Sequence, residues 1–538
     1  MGETLADLLD ALERNVAPGT LLFDRGVAVT AESFRAEVAR IAAGLSAIGI
    51  KPGDRVAVWL PNVPAWLATM FAVARLGAVV VSINTRFRSL DLTPILRRSQ
   101  PRALLYWPGF HGVDFQAILA GCDRSTLASL AFLIAYTETD ATSVERSDTG
   151  VHGIPWLDFH ALPAGARAED VGSPSAPCIL FSTSGTTKEP KLVVHDQATL
   201  VRHARNVAAA WRLGVGSAVC LVPPLCGVYG FCTAFAALAG GAPLWMRPVW
   251  DAVAAADDIA RGHCTHITAS DDAYSQLLFA RAGTVPFPSV GYAGYAPFNP
   301  ALADIVTRAG QRGLRLSGLY GTSEVQALFS VRAGDAEADQ RSLAGGYPVD
   351  ANARVRARDP AADVVLPHGA VGELEIFAPA SRMVAYLDDE AATAAAVTSD
   401  GWYRTGDLGL TNADGSFVYL SRAGDSLRLG GFLVSAIEIE NAVVEAGGVK
   451  ACQVVAVARE NEGPRAVAFV IPDEGCAVDE ARLAADLRAR LASYKVPVRF
   501  FAIDAFPVTA SANGTKIRRD ALRQRALELL QTQSIDEE

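Results

Sequence analysis

Apolar residues in this chain alternate between short unbroken runs and longer stretches where they recur every three or four positions. RVAVWL at 55–60 is too short for a helix and apolar on both faces, which predicts a buried strand. PAWLATMFAVARLG at 64–77 opens on proline, tolerated in a helix's first turn, and predicts a helix, with AVVVSI at 78–83 as the next strand. ALLYW, LASLAFLIAY, CILFST and AVCLV continue the rhythm as far as residue 222. Strands alternating with helices imply a parallel sheet covered by helices. After about residue 340 the segments become short and rich in Gly, Asp and Pro (GELEIF, GWYRTGD, GSFVYL), predicting a small antiparallel sheet or barrel. From Arg422 a third texture follows: AIEIENAVVEAGG, ACQVVAVAREN, RAVAFVIP, then a helix over Asp479 to Leu491. It predicts a compact α+β unit, with only the final QTQSIDEE left as a loose tail.

Leu213 to Met246 carries no charge and is long enough to span a bilayer. Pro223, Pro224, Pro243 and several glycines interrupt it, however, and predict a strand (Ala218 to Val222), a helix (about Gly230 to Leu238) and another strand of a buried sheet. The chain's 538 residues exceed one core and imply two or more domains. Half the residues are hydrophobic and 20% charged, as in folded globular proteins. A net charge of −10 argues against nucleic acid as the main partner. No signal peptide is visible, and eight cysteines without a CxxC pair read as reduced, mostly buried thiols; a cytoplasmic chain is the expectation. His263 and His266, flanking Cys264, lack a second ligand pair and read as core or surface residues.

The candidate chemistry starts at FSTSGTTKEPKL, residues 181–192, where hydroxylated residues and a glycine separate an apolar run from Lys188 and Lys191. Small residues leave backbone N–H groups free for phosphate oxygens, and hydroxyls and ammonium groups add donors. A solvated Ser/Thr loop between strands has the same composition. Downstream come GYAP (294–297), LYGTSE (319–324), GWYRTGD (401–407), SRAGDSLRLGGFLVSAIEIE (421–440) and NGTKIRRDAL (513–522). In this order and spacing the motifs resemble the adenylate-forming superfamily of acyl-CoA synthetases, luciferases and peptide-synthetase adenylation domains, and are most like a bacterial acyl-CoA synthetase.

The resemblance implies an α/β fold. A large N-terminal domain (1–421) would hold two helix-flanked sheets and a small β-barrel-like subdomain, and a small mobile C-terminal α+β domain (422–538) would carry the catalytic lysine. It implies that a carboxylic acid attacks ATP to give an acyl-adenylate and pyrophosphate, and that a thiol then displaces AMP. Thr183, Ser184, Gly185, Thr186, Thr187 and Lys191 would hold phosphates, and Thr183 with Glu324 a magnesium ion. The adenine would meet Tyr295, Ala296, Pro297 and Tyr320, within the Gly321, Thr322, Ser323 segment. Asp407 would accept both ribose hydroxyls, beside Arg422 and Tyr419. Lys516 and Glu324 would be the catalytic pair, Gly424 the hinge, and Arg428, Gly430, Gly431 and Phe432 the CoA contact. The acyl pocket would be lined by Gly227, Val228, Tyr229, Phe231, Phe298 and Gly321. Both pocket glycines are expected to open space, and no charged residue is expected there.

Five positions depart from the family pattern, among them Gly424, where the hinge usually carries Asp or Lys. Lys188 and Leu192 replace loop glycines, so the loop should be stiffer, with Lys188 expected in solvent. Gln197 replaces the loop histidine, His195 lying two positions earlier, and a threonine interrupts the usual GKI before Lys516. The expected function is therefore an ATP-, Mg2+- and CoA-dependent ligase for a medium- or long-chain fatty acid or an aromatic or alicyclic acid. The alternatives are a stand-alone adenylation enzyme loading an acyl carrier protein and an adenylation-impaired binding protein. The expected partners are small molecules, with no nucleic acid and no membrane span; a homodimer is left open.

Overall fold

The computed structural model describes residues 2–15, 20–138, 151–166, 168–183, 190–298, 302, 304–332, 336–360, 362–422, 427–429, 432–434, 436–457, 464–491, 495–511 and 514–535. The runs read as buried strands are central. Val56, Ala57, Val58 and Trp59 are sealed from solvent, and the helix Pro64–Arg75, apolar all round, buries Ala65 to Ala74 against them. Arg55–Trp59 sits in an eight-stranded sheet ordered Ala385–Tyr386, Lys191–Asp196, Pro177–Thr183, Val79–Ser82, Arg55–Trp59, Ala103–Tyr106, Phe132–Ala135, Trp156–Asp158. Its strands run parallel from Pro177–Thr183 onward, while Lys191–Asp196 returns as a hairpin and Ala385–Tyr386 closes the edge antiparallel. Of LASLAFLIAY only Phe132–Ala135 is strand; the residues before it form turns.

The uncharged stretch folds as anticipated, into strand Val219–Leu221, helix Val228–Ala239 and strand Leu244–Met246 of a seven-stranded sheet. Gly230 is required inside that helix, since a Cβ there would lie 2.3 Å from Pro224 O. Among the described residues, no helix is long and apolar enough to cross a membrane. The third sheet is larger than the sequence suggests: eight strands, from Tyr320–Thr322 to Val364–Val365, in which every neighbouring pair is antiparallel.

The C-terminal segment builds a three-stranded sheet (Val449–Val457, Arg465–Pro472, Arg499–Ala502) packed by the helices Ala436–Glu445 and Glu480–Arg490, with Asp479 capping the latter. Its two hydrophobic clusters draw only on residues from Leu427 onward, and the other clusters only on residues up to Tyr419. The tail reading is corrected: helix Arg519–Ile535 includes the QTQSI of the last eight residues, because Leu522, Ala526 and Leu530 anchor it to the sheet. Seven cysteines are buried free thiols, and Cys476 is exposed.

Candidate functional site

The strands Pro177–Thr183 and Lys191–Asp196 are the two arms of a hairpin, with Thr183 registered opposite Lys191. The predicted phosphate loop therefore leaves the sheet between these two residues. Ser184, Gly185, Thr186, Thr187 and Lys188 lie outside the described residues. Leu192, in place of a glycine, is fully buried in the sheet's core. Gln197 does not act as a stand-in for a loop histidine. Buried, it accepts from Leu5 N at 2.8 Å and donates to Ala74 O at 3.1 Å, fastening helix Leu5–Asn15 to the core. His195 points the other way, its Nε2 bonded to Ser323 O at 2.7 Å and its Nδ1 buried without a partner among the described residues. Burial lowers its pKa and keeps the ring neutral.

Ser323 and Glu324 occupy the turn between strands Tyr320–Thr322 and Gln326–Val331. Two non-glycine residues beyond the turn, Gln326 and Leu328, have φ of 63° and 65°. Such strained backbone persists only where surroundings over-determine it. Here Gln326 donates to Thr199 O (3.0 Å), and His203 bonds Ala327 O (2.7 Å). Glu324 is buried, with its Oε1 accepting from Tyr386 Oη at 2.8 Å. Lys191 Nζ lies over the Tyr386 ring, 4.6 Å from its centroid. Tyr386 was not singled out from the sequence; its Ala-Tyr-Leu setting carries no signal that it would meet Glu324.

Gly321 opens no space. A Cβ there would lie 2.6 Å from Ala327 Cα and 2.8 Å from Gln326 O, so the returning strand requires glycine and leaves no volume on that side.

Asp407 is buried in strand Tyr403–Thr411, opposite Arg422 in strand Phe417–Arg422. Tyr320 Oη donates to its Oδ2 at 2.6 Å, and Arg422 Nε stands 3.1 Å from Oδ1 without hydrogen-bond alignment. Burial pushes the Asp407 pKa up to about 6, against the pull of Arg422 and the Tyr320 hydroxyl. The carboxylate therefore keeps unused lone pairs beside a cation, the arrangement that a vicinal diol needs. The Tyr419 ring lies 5.6 Å from that of Tyr320.

On the neighbouring sheet, the Tyr295 ring is turned into the core, its hydroxyl donating to Ser342 O at 2.7 Å, so only backbone at 295 faces outward with half-buried Ala296 and exposed Pro297. Strand alternation sends successive side chains to opposite faces, and a bulky aromatic takes the buried one. Phe231 is likewise corrected: it stacks on Phe235 (4.1 Å) and meets Trp66 and Phe181 edge-on in the main core. Tyr229 shares its hydroxyl between Ala269 O and Gly294 O, while Val228 is partly buried and Phe298 exposed. Gly227 caps helix Val228–Ala239 with extended backbone. Asp271, a buried carboxylate, accepts from the backbone N–H of Phe298, one of the residues read as lining the pocket, at 2.9 Å. Asn62 clamps the Pro-Pro-Leu turn from both sides, donating to Pro223 O and accepting from Leu225 N.

In the C-terminal segment Lys516 is in strand Gly514–Ile517, registered opposite Thr509. Arg428 and Phe432 lie on the hairpin strands Leu427–Leu429 and Phe432–Val434. The side chains of Lys516, Arg428 and Phe432, and all of Gly424, Gly430 and Gly431, lie outside the described residues. His266 uses both ring nitrogens, on Thr265 Oγ1 and Trp211 O.

Residues 12–386 match the model of the AMP-binding enzyme family, and residues 438–513 that of the AMP-binding enzyme C-terminal domain. The chain belongs to the AMP-binding enzyme family. Within it, the chain is 30% identical over 533 residues to a methyl-dioxo-octahydroindenyl-propanoyl:CoA ligase of Mycobacterium tuberculosis, covering 97% of this chain and 98% of that one. A feruloyl-CoA synthase of Amycolatopsis is 30% identical over 93% of this chain and 94% of its own. The fold matches that of ATP-bound MatB from Rhodopseudomonas palustris with a TM-score of 0.79 at 21% identity, covering 98% of this chain and 99% of that one. Like other AMP-binding enzymes of this kind, the protein is an acyl-CoA synthetase, an ATP-dependent acid–CoA ligase.

Proposed function

We propose that this AMP-binding enzyme activates an aromatic or alicyclic carboxylic acid as its acyl-adenylate and passes the acyl group to CoA. The observation that carries the adenylation reading is Asp407, a buried carboxylate held by Tyr320 at 2.6 Å and beside Arg422 at 3.1 Å. In this reading Asp407 takes the ribose hydroxyls, with Arg422 and Tyr419 alongside. The adenine lies between the Tyr320 ring and the backbone of Tyr295 to Pro297. Thr183, Lys191 and residues 184–187 hold the triphosphate.

Glu324 fits a hard cation: its carboxylate is buried, receives one neutral donor and has no ion pair among the described residues. Magnesium would be held by Glu324 and Thr183, where it would neutralise phosphate charge. Lys516 supplies a further cation where the attacking carboxylate and the α-phosphate meet. Residues 422–538 form a lid that turns about Gly424, bringing Arg428 and Phe432 to the thiol.

For the acid, the support is twofold. The two ligases named above act on a bicyclic and an aromatic acid, and Val228 and Phe298 offer apolar surface. Asp271 is taken up by the Phe298 backbone, so it is not offered to an amino group.

The test supplies ATP, magnesium and CoA with a panel of aromatic, alicyclic, aliphatic, dicarboxylic and amino acids, and measures AMP release and thioester. The ring-bearing acids should lead. Preference for amino acids or dicarboxylates would overturn the pocket reading. AMP release that required a carrier protein instead of CoA would establish the carrier-loading alternative, and no ATP–pyrophosphate exchange with any acid would establish the binding-protein alternative.

A further inference from the structure

Lys191 and Tyr386 converge on Glu324, and Tyr403 is also bonded to Tyr386. Lys191 begins the strand that leaves the phosphate loop; two residues on, Val193 of that strand pairs with Tyr386. The Tyr386 ring is buried against Val193 and Met383, which fixes its direction. From that position its hydroxyl donates to Glu324 Oε1 (2.8 Å) and its face carries the Lys191 ammonium (4.6 Å). Burial and the adjacent Glu324 push the Tyr386 pKa well up, so the phenol stays a neutral donor. The Glu324 backbone is held as well: Met383 N donates to Glu324 O (2.6 Å), and His195 Nε2 bonds the preceding carbonyl, Ser323 O.

Left to themselves, an ammonium and a buried carboxylate this near a common ring would pair, since the attraction grows as water is excluded. No such pair forms among the described residues. Tyr386 stands between the two: its electron-rich face attracts the cation and its hydroxyl attracts the carboxylate. The second Glu324 oxygen, Oε2, has no partner among the described residues.

We propose that Tyr386 is a positioning residue that keeps Glu324 and Lys191 apart, holding Glu324 by one oxygen so that the other is available to a divalent cation, and Lys191 to phosphate. The inference rests on the metal reading of Glu324 given above, and it makes Tyr386 the residue that couples ATP affinity to magnesium.

Calorimetric titration of the full-length protein with ATP, in excess magnesium and in excess chelator, tests it on the parent, Tyr386→Phe and Tyr386→Leu. The Phe variant keeps the ring under Lys191, so its metal-free ATP affinity should stay within about twofold of the parent. Its gain in affinity on adding magnesium should shrink about fivefold or more. The Leu variant, with Lys191 released onto Glu324, should lose metal-free affinity as well. A Phe variant with the parent's full magnesium gain overturns the inference while the metal reading stands. A parent with no magnesium gain overturns the metal reading itself. A thermal midpoint and a rate of thioester formation from pre-made acyl-adenylate that match the parent's separate positioning from a general loss of structure; if both fall with the magnesium gain, Tyr386 is structural and the inference fails.

Discussion

Asp407 shows what burial does to one carboxylate. Its pKa of about 6 exceeds the ordinary Asp value, so the folded protein binds a proton here that the unfolded chain releases. The stability tied to that proton is present at low pH and is lost as pH rises from the usual Asp range through about 6. Ligand binding runs in the opposite direction, because only the ionised carboxylate can accept both ribose hydroxyls. Adenosine, which does not titrate in this range, should bind about tenfold more weakly at pH 5 than at pH 8. Asp407→Asn should bind weakly at both values; a parent affinity that stayed flat with pH would rule out Asp407 as the ribose acceptor.

Lys516 is the other residue that one substitution can decide. A preorganised cation at the developing charge is worth several kcal/mol, or about 10²-fold in rate. Lys516→Ala should abolish acyl-adenylate formation yet convert pre-made acyl-adenylate and CoA to thioester at near-parent rate. Adenylation within about tenfold of the parent would remove Lys516 from the mechanism.

Among the elements, the N-terminal helix Leu5–Asn15 shows how a substituted motif position is reused. A helix leaves its first N–H groups without intrahelical partners, and the Gln197 amide, 192 residues away in sequence, accepts the one at Leu5. Its other end donates to Ala74 O in the helix Pro64–Arg75. Gln197→Leu would leave the Leu5 N–H unpaired, at a cost of about 1–3 kcal/mol, while Ala74 O keeps its bond from Gly77 N at 3.0 Å. Hydrogen exchange should then show faster opening of residues 5–15, with the rest of the chain unchanged. Unaltered protection there would mean that apolar packing of Leu5, Leu8 and Leu12 alone holds the helix.

For the whole molecule, we propose one site serving two reactions, with residues 422–538 turning between them. The separation of the hydrophobic clusters on either side of residues 422–427 supports that division. Glycine at 424 permits backbone angles that proline forbids. Gly424→Pro should therefore slow thioester formation much more than adenylation, measured as separate half-reactions. Equal losses in both would indicate damage to the fold instead of a blocked rotation.

The order of small-residue, aromatic and carboxylate motifs along the chain was enough to establish the family, the layered α/β architecture and the identity of Glu324, Asp407 and Arg422 as candidates. Those features are local: an apolar run, a turn glycine or an acid beside a glycine keeps its meaning wherever the segment lies. The direction of each side chain is not local. Tyr295 and Phe231 turn into cores because strand and helix registers place them on buried faces, and Gly321 is filled because a second strand returns across it. Tyr386 reaches Glu324 from 62 residues away only because its strand pairs with the arm of the phosphate hairpin. Sequence patterns record what each segment buries. Which segments then face one another is decided by packing across the whole chain, and that is where Asn62, Asp271, Gln197 and Tyr386 acquired their roles.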